Sequence, residues 1–264
     1  MRSIGTHRMA LSGLLIGGLL LSGPLLALDL QGTTEWGGRV ILSTTVSGMV
    51  SKVNVAVGDE VAKGAVLVEL DPRGYLSRLA AAESLREATR QLNEEARREL
   101  DRSLELYDRT MLSDHQRKLA EIEAAKADAA MREAEAKLAE VQLDQDYSRV
   151  NAPFEGRVVV VHVQAGETVV NRLQSVPLVT LVDHRKMLAR TQVDERVMRR
   201  LAKGDKVQIG VRGVWLDGVV AALSYEPVSQ TNEGASYQLD AQFSPAEGME
   251  LRSGEKLVLR LPDE

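Results

Sequence analysis

A short pattern of valine and glycine residues occurs twice in this chain, with the copies 108 residues apart. Alternating apolar residues broken by glycines are typical of short strands and turns. The matching pairs, in order, are Gly48 and Gly156, Val50 and Val158, Val53 and Val161, Val55 and Val163, Gly58 and Gly166, and Val61 and Val169. Two similar halves predict one small β-sandwich that is assembled from both copies. The residues between the copies must therefore leave the sandwich and return to the same place.

The segment between the copies has a helical composition. From Tyr75 to Ala152 the chain has no glycine and no proline, and alanine, leucine, glutamate, arginine and glutamine dominate it. Because the chain must return, we expect two antiparallel helices of about 35 residues each. Their junction is expected near Leu112, because Ser113 and Gln116 have the spacing of a capping box that starts a new helix.

Apolar residues on the second predicted helix recur at a spacing of three and four, which predicts a coiled-coil seam. These residues are Ala124, Ala127, Met131, Ala134, Leu138 and Val141. A less regular stripe on the first helix is expected to face them, and it consists of Leu85, Ala88, Leu92, Ala96 and Leu100. Charged residues on the other faces would keep the pair soluble.

After the second copy, several predicted strands and one short helix indicate a small antiparallel β-barrel. The predicted fold class is therefore α+β, elongated and multidomain. The predicted domains are a lipoyl-like sandwich in two halves, a helical hairpin with its tip near residue 112, and the barrel, at residues 39–71 with 150–183, 72–149 and 184–264, respectively. Two stretches predict no regular structure: a loose lead-in at 28–38 and a polar loop from Pro227 to Ala235.

The first 27 residues have the pattern of an export signal. Arg2 and Arg8 precede an apolar run from Met9 to Leu26, and Ala27 follows it. We interpret this stretch as a secretory signal peptide that is cleaved after Ala27, with an uncleaved membrane anchor as the alternative. Both interpretations place the body of the protein outside the cytoplasm.

The composition argues against several classes of function. The absence of cysteine excludes disulfides, thiolate metal sites and cysteine nucleophiles. The four histidines are scattered without ligand spacing, and the formal net charge of −5 disfavours a nucleic-acid surface. We therefore predict no enzymatic activity, and no catalytic, cofactor-binding or metal-binding residue.

Taken in order, these pieces resemble the periplasmic adaptor, or membrane fusion protein, family of Gram-negative tripartite efflux pumps and type I secretion systems. The resemblance rests on the repeated motif, on Leu70-Asp71-Pro72, on Asn151-Ala152-Pro153-Phe154-Glu155-Gly156 and on Leu201-x-x-Gly204. It implies a lipoyl-like sandwich, a coiled-coil hairpin and a barrel. It also implies a periplasmic, non-enzymatic adaptor that is associated with the inner membrane. Such an adaptor would assemble as a ring or tube and link an inner-membrane transporter to an outer-membrane channel.

The family's hairpin tip, which meets the channel, resembles a pattern of arginine, leucine and serine that occurs here as Arg102, Leu106 and Ser113. The resemblance implies that these three residues bind the channel. Structural roles are the alternative: Ser113 would cap its helix, Leu106 would pack in the seam, and Arg102 would pair with a glutamate on its own helix.

Two other functions and one departure from the family remain open. A lipoate or biotin carrier would need a lysine between the sandwich halves, where this chain has Asp71, Pro72 and Arg73. A structural coiled coil without a transporter would explain the helices but not the split repeat. Only Pro262, Asp263 and Glu264 follow the last predicted strand, so we expect the family's membrane-proximal domain to be largely absent. The transporter could therefore be proton-driven or ATP-driven.

Overall fold

A computed structural model describes residues 28–171, 174–231 and 234–261. The predicted signal peptide lies outside these residues. The strands are β1 (Asp29–Leu42), β2 (Gly48–Val53), β3 (Glu60–Val61), β4 (Val66–Leu70), β5 (Arg149–Asn151), β6 (Gly156–Val161), β7 (Thr168–Val169), β8 (Val179–Asp194), β9 (Lys206–Val211), β10 (Val214–Thr231), β11 (Gly234–Phe243) and β12 (Lys256–Arg260). The helices are α1 (Arg73–Asp108), α2 (Asp114–Tyr147) and α3 (Glu195–Met198).

The two copies of the repeat pair crosswise. β2 of the first copy pairs with β7 of the second, and β6 of the second pairs in the same way with β3 of the first. The resulting sheet orders, β5-β4-β2-β7 and β1-β8-β6-β3, correspond strand for strand. Equivalent residues of the two copies share one core, including Val50 with Val158 and Leu70 with Leu181, all of them at most 2% exposed. The predicted joint sandwich is therefore present.

A second core fills a barrel. Strands β1, β12, β9, β10, β11 and β8 pair in succession, and β8 pairs back with β1, so six antiparallel strands close on themselves. Met187, Ile209, Leu239 and Leu259 are fully buried inside. The prediction for residues 28–38 was wrong, because they form most of β1 rather than a loose lead-in. The predicted loop from Pro227 to Ala235 was also wrong, because its described residues extend β10 and β11 as a paired ribbon.

Strands β1 and β8 run side by side through both the sandwich and the barrel. Their register shifts once, between Trp36 and Gly38, where the sandwich gives way to the barrel. A Cβ atom at Gly37 would stand 2.5 Å from the carbonyl oxygen of Lys186, so only glycine fits this close approach. An ion-pair cluster bridges the same junction: Arg157 of β6 contacts Glu60 at 2.6 Å and Glu250 of the barrel at 3.2 Å.

Helices α1 and α2 leave the sandwich at the end opposite the barrel. The Tyr75 hydroxyl donates a hydrogen bond to the Ser47 carbonyl at 2.9 Å, and the Thr44 hydroxyl donates to the Tyr147 carbonyl at 2.6 Å. Thr44 and Ser47 follow the end of β1 that lies farthest from the barrel. The helices pack against each other along their length, and at 1.5 Å per residue each spans about 50 Å.

The helix pair buries the predicted stripe of α2 and only part of the predicted stripe of α1. On α2 the buried and half-buried residues include those predicted, with Ala124, Ala134 and Val141 the most buried. On α1 the prediction was wrong in part, because Leu85 and Leu92 are 51% and 66% exposed. The predicted residues Ala96 and Leu100 are half-buried, whereas Ala88 is exposed. The buried and half-buried positions of α1 are Tyr75, Leu79, Ala82, Arg86, Glu87, Thr89, Arg90, Asn93, Ala96, Leu100, Ser103 and Leu106. Polar residues occupy several of these positions, so hydrophobicity alone did not mark the buried face.

Candidate docking site at the hairpin tip

The hairpin tip comprises residues 102–117, and within it α1 ends in a Schellman motif. The amide of Met111 donates to the carbonyl of Leu106, and the amide of Thr110 donates to the carbonyl of Tyr107, both at 2.9 Å. These bonds satisfy two of the carbonyls that a helix leaves free at its C-terminus. Thr110 has a φ of 60°, in the left-handed region that glycine normally occupies in this motif.

Ser113 caps the next helix in the predicted manner. Its hydroxyl accepts a hydrogen bond from the amide of Gln116 at 3.3 Å, and the Gln116 side chain accepts one from the amide of Ser113 at 3.2 Å. This reciprocal capping box satisfies two free amides at once. The structural role of Ser113 is therefore present, and its side chain remains exposed.

Arg102 and Leu106 stand four residues apart on α1, so they are neighbours on one face of the helix. The Arg102 side chain is 64% exposed, and its guanidinium contacts Glu99 at 2.9 Å, the intrahelical pair that the structural alternative expects. Leu106 is half-buried at the end of the helix packing. The geometry thus places two of the candidate residues together, with Ser113 on the far side of the turn.

Arg117 ties the two helices together across the turn. Its guanidinium contacts Asp114 at 2.8 Å and also pairs with Glu121. It lies 5.0 Å from the centre of the Tyr107 ring, a cation–π contact between α2 and α1. The hydrogen bond from Arg117 lowers the pKa of Asp114. Together with the two caps, this contact rigidifies the tip.

Met111 is the most prominent apolar residue of the tip, with 71% of its surface exposed. It was not among the sequence candidates, because nothing in the sequence shows that the Schellman motif turns this side chain outward. An open groove between the two helices near the tip is lined by the apolar residues Ala96, Leu112, Leu119 and Ala120, with Glu95, Glu99 and Glu123 among the other lining residues. An exposed, flexible thioether such as that of Met111 is suited to contact with another protein.

The chemistry of the tip is that of a binding surface. Arginine, leucine, methionine and tyrosine can supply a charge-assisted hydrogen bond and apolar contacts to a partner. In the three described stretches, no group of histidines, aspartates or glutamates is arranged to hold a metal ion. None of the helices that the structure describes has both the length and the apolar character that a membrane crossing requires.

Comparison with known proteins identifies related transport proteins. Residues 39–181 match the family described as "RND MFP, barrel-sandwich hybrid domain". The chain is 26% identical over 243 residues to the macrolide export protein MacA of Yersinia pestis, covering 77% of this chain and 64% of that protein. It is 31% identical over 138 residues to the multidrug resistance protein MdtA of Erwinia amylovora, covering 52% of this chain and 34% of that protein. The chain thus spans less than two thirds of the length of these relatives.

Solved structures share the fold at low sequence identity. The membrane fusion protein Spr0693 from Streptococcus pneumoniae R6 superposes with a TM-score of 0.72 at 18% identity, covering 90% of this chain and 99% of that one. A MacA–MexA chimera that contains the Pseudomonas aeruginosa MexA α-hairpin domain superposes with a TM-score of 0.69 at 19% identity, covering 90% and 82%. Because the family match covers more than half of the 264 residues, this chain belongs to the RND membrane fusion protein family, the periplasmic adaptors of tripartite efflux pumps.

Proposed function

We propose that this protein is a non-enzymatic periplasmic adaptor that links an inner-membrane transporter to an outer-membrane channel for efflux. Family membership supports the role, as do the names of its relatives, which export macrolides or confer multidrug resistance. The transporter is proton-driven or ATP-driven. Several copies assemble side by side as a ring or tube, with the barrel end toward the inner membrane.

The observation that carries this proposal is the order of the parts. The helix pair leaves the sandwich on the side away from the barrel, because its base contacts Thr44 and Ser47 at the far end of β1. The chain enters the barrel at the opposite extreme, where Asp29 of β1 pairs with Arg260 of β12. The tip and the start of the described chain are therefore separated by barrel, sandwich and helices, which is the arrangement that a bridge between two membranes needs.

We assign the working parts as a split lipoyl-like sandwich at 39–71 and 150–183, a coiled-coil hairpin at 72–149, and a barrel at 184–264 to which β1 also contributes. The alternating three- and four-residue spacing of the buried positions on both helices supports a coiled coil. A stiff hairpin holds its tip at a fixed distance from the barrel, so docking at the tip does not require the helices to become ordered first.

The tip docks through Arg102, Leu106 and Ser113. The pair between Arg102 and Glu99 is exposed on both sides, and such surface pairs contribute at most about 1 kcal/mol, so a partner's carboxylate or carbonyl can replace Glu99 at little cost. Leu106 adds apolar contact beside it, and the capped Ser113 fixes the turn. The capping and docking roles of Ser113 are compatible, because a rigid turn presents a constant surface.

Introducing a carboxylate at the tip tests this assignment. Arg102→Asp and Leu106→Asp should each abolish resistance or export in cells while the helical circular dichroism signal of the purified protein is unchanged. Arg98→Asp is the matched control, because Arg98 is 62% exposed and pairs with Glu95 three residues away, as Arg102 does with Glu99. Cells that carry Arg98→Asp should export substrate nearly as well as cells with the unaltered protein. Equal export from the Arg102 and Arg98 variants would remove the docking role of Arg102.

A further inference from the structure

The end of the barrel farthest from the sandwich has a surface that the adaptor role does not by itself explain. Strand registers place several segments together at this end: the start of β1, the end of β8 with α3, the start of β9, the end of β12 and the β10–β11 ribbon. We call this region the distal end of the barrel. It lies on the opposite side of the molecule from the hairpin tip.

The segment after β8 presents basic side chains outward. Arg196, Arg199, Arg200 and Lys203 lie within eight residues, and all four are exposed. Two exposed acidic residues, Asp194 and Glu195, precede them, so basic residues outnumber acidic ones by two across residues 194–203. Val197, Met198 and Leu201 from the same segment pack against the barrel core. Arg199 also contacts Glu195 at 2.5 Å, with 75% of its side chain exposed. The segment is therefore amphipathic, with a basic outer face on a chain whose overall charge is negative.

The neighbouring ribbon exposes apolar residues at the same end. β11 begins beside α3, where Ser236 pairs with Asp194, and β10 runs alongside β11. Tyr225 is 100% exposed and Val228 is 52% exposed on this ribbon. Tyrosine, with an apolar ring and a polar hydroxyl, is suited to the boundary between water and lipid.

The course of the chain indicates which partner this surface faces. The described residues start at Leu28, whose carbonyl accepts a hydrogen bond from the amide of Leu261 at 3.2 Å at the distal end. The apolar run from Met9 to Leu26, predicted as a signal or anchor, directly precedes that point in the sequence. A chain that enters its fold from a membrane would place the distal end nearest to the lipid headgroups.

We propose that the distal end of the barrel binds the anionic phospholipid surface of the inner membrane. Arg196, Arg199 and Lys203 contact lipid phosphates, and Tyr225 and Val228 insert among the headgroups. Basic residues near an anionic membrane each contribute about 1 kcal/mol to the free energy of binding. Several of them, together with the apolar residues of the ribbon, can therefore orient the barrel on the membrane. The proposal rests on the inner-membrane location given in the proposed function. It adds the surface that fixes the orientation of the barrel relative to the membrane.

A fluorescent probe on the ribbon tests this proposal. The chain has no cysteine, so Val228→Cys can be labelled alone with an environment-sensitive dye in the protein as the cell exports it. Vesicles of phosphatidylcholine alone, or of equal parts phosphatidylglycerol and phosphatidylcholine, carry brominated acyl chains as the quencher. We expect quenching with phosphatidylglycerol that decreases as salt is added, and none for a probe at Met111→Cys on the hairpin tip.

Variants in which basic residues are replaced by neutral ones show whether the basic face causes the binding to anionic vesicles. The triple variant Arg196→Gln, Arg199→Gln, Lys203→Gln should raise the vesicle concentration for half-maximal quenching by about a hundredfold, at about fivefold for each side chain. The matched control, Arg98→Gln, Arg109→Gln, Lys126→Gln, removes three exposed basic residues from the hairpin and should leave quenching unchanged.

Three results would overturn the proposal that the distal end binds lipid: no quenching at position 228, equal quenching without phosphatidylglycerol, or quenching that requires an added transporter protein. The last of these would assign the distal end to a protein partner instead. The docking role of the tip is tested separately by export in cells that carry the Arg102 variant, so failure of that role and failure of the lipid surface can be distinguished.

Discussion

At the scale of single residues, Thr110 carries the clearest local strain. It is a β-branched residue with a φ of 60° at the C-terminus of α1. The left-handed conformation costs such a residue roughly 1–2 kcal/mol, and glycine avoids that cost. The Schellman bonds and the cation–π contact between Arg117 and Tyr107 hold the residue in place.

Thr110→Gly should therefore stabilise the hairpin by about 1 kcal/mol, because glycine adopts the required backbone without strain. Ser113→Ala should destabilise it by about 1 kcal/mol through loss of the capping bond. Urea titrations followed by circular dichroism at a helical wavelength measure both shifts. A lower urea midpoint for Thr110→Gly would contradict this account of the turn.

The same residues show how far the sequence predicts the tip. The capping box of Ser113 and Gln116 was predicted and is present, because it depends only on residues three positions apart. The exposure of Met111 and the contact of Arg117 with Tyr107 could not be predicted. They depend on the left-handed turn at Thr110, for which threonine gives no signal.

At the scale of elements, the two helices differ in how clearly sequence marks their buried faces. On α2 the predicted residues lie on the buried face, because alanines, leucine and valine occupy it. On α1 Asn93 and Ser103 are buried and Thr89 is half-buried, whereas Leu85 and Leu92 are exposed. The prediction for α1 was wrong at Leu85, Ala88 and Leu92, which are exposed, and correct at Ala96 and Leu100, which are half-buried. Polar residues take the packed positions in the stretch where the prediction failed.

Asn93 supplies a test of the helix packing. It is 9% exposed, and its side-chain oxygen is buried without a hydrogen-bond partner. Asn93→Leu should raise the free energy of unfolding of the hairpin by about 1 to 2 kcal/mol, because it removes an unsatisfied polar group and adds apolar burial. Gln91→Leu, on the exposed face, should leave the urea midpoint unchanged. An unchanged or lower midpoint for Asn93→Leu would show that α1 packs through another face.

Surface charge pairs on the helices predict that the stability of the hairpin depends on pH. Hydrogen bonds from Arg90 lower the pKa of Glu87 from 4.5 to about 2, and hydrogen bonds from Arg98 and Arg117 lower the pKa values of Glu95 and Asp114. A carboxylate with a depressed folded-state pKa stabilises the fold above its unfolded pKa and loses that effect as the pH falls.

The helical melting temperature should therefore decrease as the pH falls from about 4.5 to about 2. Glu87→Gln should reduce this decrease, because the side chain no longer titrates. Thermal melts followed by circular dichroism measure the effect. A melting temperature that is constant or rises across this interval would contradict the role of these pairs.

At the scale of the whole molecule, the repeat predicted the sandwich because paired strands recur in the same order in both copies. The part of β1 before residue 39 was missed because Gly32, Gly37 and Gly38 interrupt it, and glycine is unfavourable in strands. The partners β12 and β8, far away in the sequence, hold it by hydrogen bonds on both sides. Long-range pairing of this kind leaves little trace in the local sequence.

The central claim is that the hairpin tip, at the far end from the barrel, meets an outer-membrane channel. A photoreactive amino acid at Met111, in cells that express the transporter and the channel, tests it directly. We expect an adduct that mass spectrometry identifies as the outer-membrane channel, and none from a probe at Gln91, midway along α1. Adducts from Met111 only with inner-membrane or soluble proteins would contradict the claim.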